Sequence, residues 1–184
     1  HLSTRRQRQM CIRDRLSANE ALKMMKEGSL SSEEYVKAFL KQIELRENEV
    51  GAWIFLDPKL ALDQAREADK RWKDKTAGKL NGLPIGIKDI IDTKDMPTEN
   101  GSQLCKDRKP SKDAHLVKLL RDEGAVIMGK CVTTEFALSG PGKTKNPKDL
   151  ECTPGGSSSG SAAAVSDYMV PLAIGSQTGG SVLR

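Results

Sequence analysis

Between residues 17 and 72 the apolar positions recur every three or four residues, whereas from Leu83 onward they come in short unbroken runs. The first pattern predicts helices with one buried stripe, the second strands covered on both faces. Ser17 and Glu20 stand at capping-box spacing ahead of ALKMM, and Gly28 predicts the end of that short helix. Ser31 and Glu34 repeat the signature, and Tyr35, Val36, Phe39, Leu40 and Ile43 form the stripe predicted to be buried in the next helix. AWIFL (52–56) is strand-prone. Asp57-Pro58 then opens a third helix that runs to Trp72, because proline lacks only an N–H that the first turn leaves unbonded. A polar turn spans 73–82, after which LPIGIKDII predicts a buried strand with Lys88 in its middle. Ser111 is predicted to open a helix through AHLVKLLRDEG, and GAVIMGK to form another strand. Helix alternating with strand argues for an α/β layered fold.

Composition changes this picture little. At 184 residues the chain predicts one domain, 16–184, preceded by a basic tail, 1–15, read as non-native or disordered. The net charge of +5 suggests nucleic acid until it is located: Arg5, Arg6, Arg8, Arg13 and Arg15 face only Asp14 in the tail, and the rest is nearly balanced. No nucleic-acid partner is expected. Four dispersed cysteines show no ligand or redox spacing, which predicts a reducing, cytoplasmic setting. No run approaches the roughly 18 apolar residues of a membrane span, so no membrane contact is expected.

Candidate chemistry is narrowed by histidine. Only His1 and His115 exist, which removes a multi-histidine metal site and leaves a Ser-His-Asp relay dependent on an unmarked helical position. GPGKT (140–144) looks like the end of a phosphate loop. Ala137 stands where that motif needs glycine, and Asn146-Pro147 blocks the helix that should follow, so it reads as a turn. Lys88 lies among Ile87, Ile90 and Ile91. Burial would push its amine toward the neutral, basic form, and a fall to about 7.5 would cost the cation about 4 kcal/mol. The residue alone leaves open a plain lysine paired with Asp89 or Asp92. Two glycine-serine loops complete the constellation: Gly155 to Ser161, which also reads as a serine-capped helix start, and Gly179-Gly180-Ser181, which can present a hydroxyl beside free amides.

GLPIGIKDIIDTKDMPTENGS around Lys88, PGGSSSGSAAAV around Ser157 and GSQTGGSVLR around Ser181 together resemble the amidase signature family. The resemblance runs from about residue 17 to the last residue. It implies an α/β fold with a mixed β-sheet core surrounded by helices, and cleavage of a carboxylic amide C–N bond through an acyl-enzyme. It assigns Lys88 as base, Ser157 as bridging serine and Ser181 as nucleophile, with the amides of Thr178, Gly179, Gly180 and Ser181 as an oxyanion hole. It implies a cis peptide between Gly156 and Ser157 and a supporting hydrogen bond from Ser158. It also implies a small-molecule amide substrate and neither a metal nor an organic cofactor.

Gln177 stands where many members carry Asp, and Ser159 where many carry Gly; both resemble the small-molecule amidase branch. The alternative within the family is the amidase-type subunit of a glutamyl/aspartyl-tRNA amidotransferase. That protein usually carries extra sequence after an EFAM-like segment, whereas TEFALSGPGKTKNP runs straight on here. A non-catalytic remnant is the alternative outside enzymology. Because the family fold continues well past Ser181, the expectation is a chain truncated at its C-terminus and inactive or unstable alone. Substrate identity and oligomeric state are not legible.

Overall fold

The computed structural model describes residues 15–183; apart from Arg15, the expectation for the basic tail lies outside the described residues. Helix α1 (Ala18–Lys26) opens with the predicted capping box, Ser17 Oγ accepting from Glu20 N and Glu20 from Ser17 N. Helix α2 (Ser32–Val50) repeats it at Ser31 and Glu34 and ends at Gly51. A second acceptor serves the same end of α2 from a distance: Asp69 receives Ser32 N at 2.7 Å and Glu33 N at 3.1 Å. Strand β1 (Trp53–Leu56) leads to helix α3 (Pro58–Lys73), capped by Asp57 with proline in its first turn. Then follow β2 (Pro84–Lys88), α4 (His115–Asp122), β3 (Val126–Cys131), α5 (Ser159–Ser166) and β4 (Leu172–Ile174), with 3-10 turns at Gln103–Cys105 and Glu135–Ala137.

The strands form a mixed sheet in the order β1-β3-β2-β4. β2 runs parallel to both neighbours, and β1 is antiparallel to β3. Every residue of β2 and β3 is buried, as their unbroken apolar runs predict. One face carries the larger core, with Tyr35, Phe39, Val126, Met128, Ala163 and Ala164; the other packs Ile85, Ile87 and Ile127 against Val117, Leu120 and Met96. Lys88 is therefore not mid-strand as expected. It ends β2, because the chain turns there, with Ile91 N bonding back to Lys88 O.

Three other local expectations are corrected. Ser111 does not open α4. The helix begins at His115 with no side-chain cap, since Asp113 is engaged with Lys94 N and with Arg121, and Ala114 N bonds Asp92 O. Ser158 sits at the N-cap of α5 without capping it through its side chain, because its hydroxyl is used elsewhere. Leu40 lies at the margin of the α2 stripe, packed on the core but only partly buried. Gly160 in α5 sits so close to β3 that a Cβ would stand 2.2 Å from Ala52 O and 2.3 Å from Val132 N. That approach brings the serine loop against the end of the sheet.

Candidate active site

Three chain segments converge where β2 ends. Lys88 has no exposed surface, and its Nζ donates to Ser157 Oγ at 2.6 Å and to Ser176 Oγ at 2.8 Å. Neither carboxylate that follows it is a partner. Asp89 pairs with Lys130 at 3.2 Å, and Asp92 with Arg108 at 2.7 Å. Burial without a counter-ion pulls the Lys88 amine down to about 8. Of the two alternatives left by the sequence, the carboxylate-paired lysine is thus not the one observed.

Ser157 is held from behind and from both sides. Its carbonyl accepts from Thr134 N at 3.2 Å, and the Gly156–Ser157 peptide is cis, as the resemblance implies. Ser158 donates its hydroxyl to Ser176 O at 3.1 Å and accepts Ser176 N at 3.2 Å, stitching the first serine loop to the second. Ser158 N also bonds Ser181 O at 3.0 Å. This double stitch sets the Ser176 hydroxyl beside Lys88. Ser176 lies inside the GSQTGGS motif, yet nothing in its type or spacing separates it from the motif's other hydroxyls, and the sequence does not single it out.

The second loop is closed by Gln177, whose Oε1 accepts both Val182 N and Leu183 N at 3.0 Å. Ser181 is partly buried. Its backbone is tied to Ser158, but its hydroxyl makes no hydrogen bond to Lys88 or Ser157. Among the described residues, the amides of Thr178, Gly179, Gly180 and Ser181 donate to no protein acceptor. So Lys88 and Ser157 are in contact, Ser158 supports the junction, and Ser181 lies alongside with a row of unspent N–H groups. His115 is exposed on α4 and has no part in the cluster. GPGKT is a clasp, with Lys143 bonding Trp53 O and Thr144 bonding Gly51 O. Among the described residues no group of three or more His, Cys, Asp or Glu is arranged to hold a metal ion, and Cys105, Cys131 and Cys152 are free.

A buried lysine with a depressed amine, set against serine hydroxyls at the end of an α/β sheet, defines a class of serine–lysine site suited to proton transfer and acyl chemistry. The Amidase family profile matches residues 34–184, and the chain belongs to that family. It is 39% identical over 173 residues to the A-type subunit of the glutamyl-tRNA(Gln) amidotransferase of Geobacter sp. (strain M21), covering 91% of this chain and 36% of that protein. The native peptide amidase of Stenotrophomonas maltophilia superposes with a TM-score of 0.86 at 35% identity, over 92% of this chain and 37% of that one. An amidase family protein from Bacillus anthracis str. Ames gives 0.85 at 30% identity, over 95% and 38%. The chain thus spans a little over a third of the length of these relatives.

Proposed function

We propose that the protein cleaves a carboxylic amide C–N bond through Lys88, Ser157 and Ser181. Neutral Lys88 accepts the Ser157 proton, Ser157 takes one from Ser181, and the Ser181 oxygen attacks the amide carbon. The tetrahedral oxyanion is met by the free amides of residues 178–181. Proton return through Ser157 lets nitrogen leave, and water then releases the acid from the acyl-serine. The contact that carries this reading is the 2.6 Å bond from Lys88 to Ser157 in surroundings that deny the lysine a carboxylate. Ser176, also bonded to Lys88, orients the amine.

A second reading has its own support: relatives with 39–41% identity are named as amidase-type subunits of glutamyl-tRNA(Gln) amidotransferase. In that role the same site frees ammonia from an amide for transfer by a partner protein. Ammonia release from propionamide, an amidated peptide and glutamine, measured on the protein in which this chain occurs, tests both. Release from simple amides without a partner, lost in Lys88→Ala, is expected from the first reading. Release from glutamine alone, and only with partner proteins, selects the second. Release that survives Lys88→Ala and Ser181→Ala unchanged contradicts both.

A further inference from the structure

Lys130 is a second lysine without exposed surface, on the strand next to Lys88, and nothing in the site described above uses it. In the β2–β3 register Ile87 is opposite Lys130 and Lys88 is opposite Cys131. Ile87 belongs to the core on the α4 side of the sheet, and Cys131 to the core on the α5 side. Side chains alternate along a strand, so the two lysines leave the sheet on opposite faces. Lys130 reaches four acceptors: Thr98 Oγ1 at 2.5 Å, Ile91 O at 3.0 Å, Pro97 O at 3.2 Å and Asp89 Oδ1 at 3.2 Å. The Asp89 carboxylate also takes Glu99 N at 3.1 Å and the Gly101 N–H.

We propose that Lys130 and Asp89 are positioning residues for Lys88: from the far face of the sheet, Lys130 binds the Asp89 carboxylate and the 91–98 loop, leaving Lys88 to face serines alone. The proposal rests on the reading of Lys88 as the base. Asp89 is the residue next to Lys88, and a carboxylate there with no other partner is the natural counter-ion for an ammonium. Lys130 removes it from that role. The same cation also braces the serine side. The loop it gathers ends at Asn100, whose carbonyl accepts Phe136 N at 2.8 Å, and Ser102 Oγ donates to Glu135 at 2.6 Å. The 133–138 segment so held supplies Thr134 N to Ser157 O. Both partners of the Lys88–Ser157 bond are therefore anchored to one buried ammonium. For stability alone an apolar pair would serve as well, since burying two charges costs about as much as their attraction returns.

Few charged groups face Lys88. Asp89 and Asp92 follow it, Lys130 and the Cys131 thiol come from β3, and Glu47 of α2 lies toward Cys131. Arg108 and Glu99 come from the loop and Glu135 from the 133–138 segment, while α5 and β4 hold no titratable side chain. Removing either member of the pair leaves the other uncompensated, with opposite consequences for Lys88.

The test is an NMR titration of the Lys88 Cε resonance in lysine-labelled protein, assigned by its loss in Lys88→Met, with thermal unfolding followed in parallel. Lys130→Met should move the Lys88 midpoint up by roughly half a pH unit or more, Asp89→Asn should move it down, and the double variant should return it toward the parent value. Should Lys130→Met fail to fold, Asp89→Asn and the double variant decide alone. Midpoints unchanged in every folded variant, or moved the same way by both single changes, overturn the proposal. The readout needs no substrate: a parent midpoint near 10.5 would refute Lys88 as the base, while the shifts between variants still judge the pair.

Discussion

At the scale of single residues the account rests on an amine that burial keeps near its neutral form. Since the base acts when unprotonated, kcat/KM should rise with pH through about 8 and level off above it. Lys88→Ala should remove that limb and lower kcat by about 10²–10⁴-fold, the usual contribution of a positioned base, as stopped ammonia assays across pH 6–10 will show. The same depressed amine affects folding. Between about 8 and 10.5 the unfolded chain binds the Lys88 proton and the folded chain does not, so stability rises with pH across that window. Below it the folded state carries a penalty of roughly 3 kcal/mol. Lys88→Met should therefore be inactive yet more stable than the parent at pH 7, with the gain shrinking toward pH 10. Urea unfolding at both pH values checks this, and an equal or smaller stability at pH 7 would contradict it.

At the scale of elements, the site depends on how closely α5 meets β3. Gly160→Ala places a methyl group into backbone atoms that cannot move aside and should cost about 1–3 kcal/mol, seen as a lower Tm. Gly179→Ala meets nothing within 4 Å and should leave Tm unchanged. Asp69→Ala, which unbonds two N–H groups at the start of α2, should cost about 1 kcal/mol. These elements are legible to different degrees in the sequence. Ser17, Ser31 and Asp57 act within a few residues of themselves, so their helix starts can be read locally. Asp69 capping α2, and Lys130 gathering Asp89 and Thr98, join positions far apart in the chain, and no local pattern announces them. Ser111 misleads because Asp113 and Ala114 are committed to Arg121 and Asp92 across the loop, and that pairing sets where α4 begins. Ser176 is hidden among similar hydroxyls, whereas Lys88 stands out as a charge inside an apolar run.

At the scale of the whole molecule, the mixed sheet divides the work between its faces. One presents Lys88 to the serine loops; the other carries the buried pair that anchors the loop after it. Family membership accounts for this layout, and the site geometry gives it a chemical reading. No helix among the described residues is long and apolar enough to cross a membrane. The central claim is that Ser181 is the nucleophile and that Lys88 activates it across Ser157. The most direct measurement is peptide mapping by mass spectrometry after reaction with a fluorophosphonate, made on the protein in which this chain occurs, in parent and Lys88→Ala forms. The account predicts one adduct, on Ser181, with labelling slowed at least about 100-fold in Lys88→Ala. An adduct on another residue, or equal labelling of both forms, would contradict it.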